Sequence, residues 1–161
     1  MIRPLSALLP VVATLLLSAC SRSNWTADAT EWVIGLAVDN ICELAEPLCA
    51  DEAAADAPYP AAAKNSRHLV PATAGQQATA AALLSPGTRA ELLRVVLERR
   101  DEQYTVYAEL SLPQENQPIW VRVARGKQPS EFSCLRDPAT AKPLRLDLDA
   151  AVAFTTKEPL R

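Results

Sequence analysis

Glycine is scarce in this chain, with 4 residues in 161, and histidine is limited to His68. So few glycines leave no Gly-rich loop to bring backbone N–H groups onto a phosphate, and no Gly-x-Ser-x-Gly turn to expose a nucleophilic serine. One histidine cannot supply the paired imidazoles of most zinc enzymes. Basic residues are not in excess: 16 Lys and Arg face 19 Asp and Glu, a formal charge of −3. A protein that grips nucleic acid needs a basic patch to displace counterions, and none is present, so nucleic acid is excluded as the expected partner. The acidic charge is uneven. Residues 20–85 hold 3 basic and 8 acidic residues, and residues 86–161 hold 12 and 11. EF-hand-like calcium loops are absent as well. The longest apolar run, from Leu5 to Ala19, is shorter than the ~20 residues that span a bilayer, and Pro10 interrupts it.

That run carries the strongest signal. Arg3 and the amino terminus give a positive start, an uncharged apolar stretch follows from Leu5 to Leu17, and small residues lead to Cys20. These are the parts of a secretory signal in order. Leu17-Ser18-Ala19-Cys20 resembles the lipobox of a bacterial lipoprotein precursor. The resemblance implies a signal peptide over residues 1–19, removed before Cys20, and lipidation of the Cys20 sulfur and of the new amine. It also implies a membrane anchor in the cell envelope. Ser21 rather than Asp after the cysteine implies the outer membrane, facing the periplasm. Residues 20–27 then read as a lipidated tether and 28–161 as one globular domain.

With Cys20 taken by lipid, Cys42, Cys49 and Cys134 remain as disulfide candidates in an oxidising compartment. On one unbroken helix Cys42 and Cys49 would lie about 10 Å apart, beyond the ~7 Å Cα limit of a disulfide. Pairing these two requires a break, and Pro47 is placed to make it. A bridge from Cys134 to either is the alternative. Cys-x6-Cys with a distant third cysteine does not match zinc-ligand spacing, so no metal and no cofactor are expected.

Asp28 and Glu31 read as a capping box, and Val33 or Ile34, Ala37 or Val38, Ile41, Leu44 or Ala45 and Leu48 form an apolar stripe. The spacing predicts a helix from about Ala29 to Glu46. Residues 50–67 (ADEAAADAPYPAAAKNSR) are low in complexity and broken by Pro58 and Pro60, an excursion that Tyr59 could tie down. Gln76–Leu84 predicts a short helix. Alternation then takes over. Tyr104, Val106, Ala108 and Leu110 share one face, Ile119, Val121 and Val123 another, and Leu144, Leu146 and Leu148 a third. Leu92–Glu98 carries mixed signals and leans to strand. The expected fold class is α+β, an N-terminal helix or helices packed on a three- to four-stranded antiparallel meander. Over Leu92–Arg125 this order resembles small cystatin-like or nuclear-transport-factor-like lipoproteins, in which a curved sheet wraps a helix.

No catalytic set stands out. His68 in a Pro-bounded loop, and Asp147, Asp149 and Glu131 as exposed acids, are the only candidates for acid–base work in an envelope hydrolase. Tyr107, Trp120 and Arg122 fall on the polar faces of neighbouring strands. They form a candidate partner-binding patch unless a second layer covers them. The pattern favours a non-catalytic binding or accessory lipoprotein, of the immunity or inhibitor kind, with a protein partner in the envelope. An envelope-assembly or secretion-system lipoprotein and a small-ligand carrier are the other readings.

Overall fold

The computed structural model describes residues 24–52, 59–72 and 84–157. The leader, the lipobox and most of the Gln76–Leu84 segment lie outside the described residues.

Ten strands form one mixed sheet: β1 Trp25–Asp28, β2 Val33–Ile34, β3 Ile41–Leu44, β4 Leu48–Ala50, β5 Arg67–Pro71, β6 Arg89–Arg100, β7 Gln103–Ser111, β8 Ile119–Gly126, β9 Glu131–Arg136 and β10 Pro143–Leu146. The order is β2-β10-β9-β3-β6-β7-β8-β5-β4, with β1 also paired to β6. All pairs are antiparallel except β5–β8, which is parallel. One α-helix, α1, covers Leu148–Lys157. Among the described residues no helix is long and apolar enough to cross a membrane.

The expected α+β arrangement is therefore wrong. In place of a helix over 29–46 the chain makes a 3-10 turn at Thr30–Trp32 and then β2 and β3. Two backbone positions explain the failure. Gly35 (φ +91°) and Asn40 (φ +60°) are left-handed, and an α-helix cannot pass through either. Asp28 accepts from the N–H of Thr30 at 2.9 Å and from its hydroxyl at 2.6 Å, a local turn in place of a capping box. Thr30 in turn accepts from the Val95 N–H at 3.0 Å, fastening the turn to β6. Among the described residues no helix lies in the curve of the sheet as in the cystatin-like arrangement.

In place of the expected three- to four-stranded meander, β6, β7 and β8 are antiparallel neighbours inside the ten-stranded sheet, and their alternation sets the core. Val106, Ala108, Leu110, Ile119 and Val121 are fully buried on one face with Val95 and Leu97. Ala90 and Leu92 reach the same core although the parity changes between Leu92 and Val95. A bulge at Leu93, which is 40% exposed, absorbs the extra residue.

The sheet must curl. Three residues, 45–47, join β3 to β4, which allows about 14 Å at most between Leu44 and Leu48. Four strands stand between β3 and β4 in the sheet, and laid flat they would separate these two by about 24 Å. The inner face thus closes on itself, and Leu44, Leu48 and Leu69 join the same core as Phe132 and Leu144. Leu144 and Leu146 alternate as read, but Leu148 begins α1 rather than extending β10.

Cys42, Cys49 and Cys134 are buried on three different strands, β3, β4 and β9. The Cys134 carbonyl accepts from the Ala45 N–H at 2.8 Å, which sets Cys134 opposite Ala45 rather than Cys42. Burial pushes the Cys42 and Cys134 thiols up to about 12. The neutral thiol is the form the fold holds. Between about pH 9 and 12 the unfolded chain loses these protons first, so stability present at neutral pH is expected to fall as pH rises through that window. At pH 8 an aromatic disulfide reagent should leave the native thiols intact and react with Cys42, Cys49 and Cys134 after denaturation. A count of one reactive thiol among them would instead establish a bridge.

Candidate functional site

The outer face of β5, β8, β7 and β6 gathers the chain's polar and aromatic side chains. Register alone sets them in rows. His68, Trp120, Glu109 and Arg94 are successive neighbours across the four strands. Arg122, Tyr107 and Val96 form the next row, which ends on Asp28 of β1. Arg125, Thr105, Glu98 and Thr26 form the third. The faces of Tyr107, Trp120 and Arg122 therefore do coincide, as the alternation required.

A second layer covers two of the three. Trp120 and Tyr107 are 0% and 1% exposed, packed with Val96 under Ala63 and Tyr59. The cover comes from within the low-complexity stretch 50–67, a 3-10 turn at Ala61–Ala63 that leads into β5. It is fastened by a short network. The Tyr59 hydroxyl donates to Asp51 Oδ2 at 2.7 Å, and Arg122 lies 3.9 Å from the same oxygen. The Tyr59 ring stacks on His68 at 4.0 Å and leans on Tyr107 at 4.7 Å. His68 Nε2 donates to the Ala63 carbonyl at 2.6 Å. The Asp51 N–H donates to the His68 carbonyl, which continues the first row onto the strand edge.

Electrostatics follow burial. Desolvation raises the Tyr59 pKa, and the neighbouring Asp51 carboxylate adds to it. Burial pushes Tyr107 up to about 12, with Glu98 contributing. Glu98 is raised by burial, opposed by Arg100 and Arg125. Both phenols thus stay protonated at neutral pH, and the Tyr59 hydroxyl donates to Asp51. Arg94 lies with its guanidinium 5.2 Å from the centre of the Trp120 ring and 3.1 Å from Glu109. Arg94, Glu109 and Arg122 keep part of their surface in solvent, and they form the accessible rim of the patch.

Comparison with known protein families, with characterised proteins and with solved structures finds no match to this chain.

The other sequence candidates have structural occupations. Asp147 does not lie on a strand with Asp149. It caps α1, where its Oδ1 accepts from the Ala150 N–H at 3.1 Å, and Asp149 sits in the first turn against the helix dipole. Glu131 is exposed at the start of β9, opposite Arg145. His68, Asp147 and Glu131 are thus not brought together. Arg99–Glu102 forms the β6–β7 turn, with Asp101 and Glu102 both left-handed (φ 50° and 65°). Two clefts lie at the margins of the sheet. One of about 450 Å³ is lined by Leu84, Thr88, Arg89, Leu112 and Glu115. The other, about 320 Å³, is lined by Ile34, Ser130, Arg145, Asp147 and Asp149. Among the described residues no group of His, Cys, Asp and Glu is disposed to hold a metal ion.

Sequence reasoning missed Asp51, Arg94 and Glu98. A signal for the last two was present. Arg94, Val96 and Glu98 alternate with Val95 and Leu97, the pattern that marks one wet and one buried face of a strand.

Proposed function

We propose that this chain is a lipid-anchored protein of the cell envelope, held at the outer membrane and facing the periplasm, that acts by binding rather than by catalysis. Within that class an immunity or inhibitor role against an envelope-targeting hydrolase is the preferred reading. The observation that carries the proposal is Leu17-Ser18-Ala19-Cys20 at the end of a charged-then-apolar leader, followed by Ser21. The first strand begins at Trp25, so little chain separates the lipid site from the folded domain. The role needs neither a cofactor nor nucleic acid. A rigid, curled sheet with a fastened outer layer suits a surface that presents side chains to a protein partner, and the rim of Arg94, Glu109 and Arg122 offers the charged part of such a surface.

Intact-mass measurement on the protein from the envelope fraction tests the anchoring. A chain that starts at Cys20 and carries a diacylglyceryl group and an amide-linked acyl chain is the expected result. A chain that retains Met1–Ala19, or one cleaved elsewhere and unmodified, overturns it. For the binding role, the detergent-solubilised protein is expected to run as a complex of defined stoichiometry with an envelope protein. A partner-free monomer in native conditions argues against that part alone.

A further inference from the structure

The end of the sheet nearest the lipid site has a distinct chemistry. Asn24 is its first described residue, and its Oδ1 accepts from the Asp101 N–H at 3.1 Å, which ties the start of the domain to the β6–β7 turn. Cys20 lies four residues earlier, and that link can extend no more than about 14 Å. The β6–β7 turn and the ends of β1 and β8 are therefore held beside whatever surface carries the acyl chains.

Trp25 pairs with Arg99, Arg99 with Tyr104, and Tyr104 with Gly126, forming one row across this end. Trp25 and Tyr104 are half-buried and meet edge to face, with ring centres 6.1 Å apart. The Arg99 guanidinium lies 5.8 Å from the Tyr104 ring centre, and its Nε is buried without a hydrogen-bond partner. Arg125 and Lys127 stand exposed on the same end. Elsewhere on the sheet Arg67, Arg89, Arg94, Arg122 and Arg136 each meet a carboxylate within 4.0 Å. Among the described residues Arg99, Arg125 and Lys127 form no such ion pair, and away from this end neither do Lys64, Lys142 and Arg145. The local acids are Glu98, which is 3.9 Å from Arg100, and Asp101 and Glu102 in the turn. The balance among the described residues of this end is four basic against three acidic, in a chain that is acidic as a whole.

Aromatic side chains with one polar edge, beside cations that form no close ion pair, suit a phospholipid headgroup layer, where rings sit at the interface and cations meet phosphate. We infer that this end of the domain docks on the anionic phospholipid surface that carries the anchor, with Trp25 and Tyr104 at headgroup level and Arg99, Arg125 and Lys127 facing phosphates. The inference rests on lipidation of Cys20. Docking fixes the orientation of the domain, so that it stands on this end rather than swinging on its link.

The test uses the full lipidated protein in vesicles of mixed neutral and anionic phospholipid that contain shallow brominated lipids, with tryptophan quenching as the readout. Quenching is expected for the wild type, lost in Trp25→Phe and kept in Trp32→Phe. The fully buried Trp120 serves as an internal unquenched reference. Combined Arg125→Gln and Lys127→Gln, both at exposed positions, should lower the docked-to-undocked ratio about tenfold, and 1 M salt should do the same. Co-flotation with the vesicles is measured on the same samples. Flotation with no quenching of Trp25, or with quenching indifferent to the two charges, overturns docking and leaves the anchor intact. Failure to float overturns both.

Discussion

Trp120→Ala is expected to lower the stability of the folded domain by about 3–5 kcal/mol, the range for truncating a large buried aromatic side chain. For a domain of this size that is a fall in melting temperature of about 10–20 °C. The indole is fully buried although it lies on the outer face of the sheet, and it supports three things at once. Ala63 and the segment behind it rest on the same cluster as the ring, the Arg94 guanidinium lies over it, and His68 and Glu109 flank it in register. Its loss leaves a void beneath the cover and removes the surface on which Tyr59 and Ala63 settle. Trp120→Phe refills most of that space and should recover more than half of the loss. Thermal unfolding of the three proteins decides the matter. A shift below about 3 °C for the alanine variant would mean that residues 59–66 do not cover this face in solution.

Cys20→Ser should have an all-or-none effect of another kind. Sulfur is the atom that accepts the diacylglyceryl group, and a serine hydroxyl is a far weaker nucleophile than a thiolate. Labelling by a fatty-acid analogue should disappear. Cleavage before residue 20 should stop with it, leaving a precursor longer by residues 1–19. The domain itself should be unchanged, since none of the contacts described for it involves Cys20. Persistent labelling of the variant would place the lipid on another residue and overturn the reading of Cys20.

The contrast between what the sequence revealed and what it hid has a physical basis. Period-two alternation is a local property, and it located β7 and β8 within a residue or two of Gln103–Ser111 and Ile119–Gly126. Between residues 29 and 46 the apolar positions were fitted to a helix by allowing either of two neighbours to count. That freedom masks a strand–turn–strand pattern, and Gly35 and Asn40 were the residues that should have broken the period. The strand at Trp25–Asp28 was unreadable for a different reason. Four residues with two polar positions carry no periodic signal, and their partner Val96–Arg99 lies far along the chain. The candidate patch shows the same division. Alternation placed Tyr107, Trp120 and Arg122 on one face. Their cover came from the low-complexity stretch, whose contribution depends on Tyr59 meeting Asp51 and His68, a tertiary event that composition does not encode.

The pairing of β1 with β6 bears on how such a chain can cross a membrane. On the proposed export route the polypeptide emerges N-terminus first, and Trp25–Asp28 is among the earliest segments out. Its partner, Val96–Arg99, follows about 70 residues later. On that route the strand nearest Cys20 waits for its partner while much of the chain is still in transit. The proposed cleavage and acylation would act on slack polypeptide during that interval, and the pairing of β1 with β6 would then draw the domain down beside the anchor. Modification before closure is the order that this pairing favours on the proposed route.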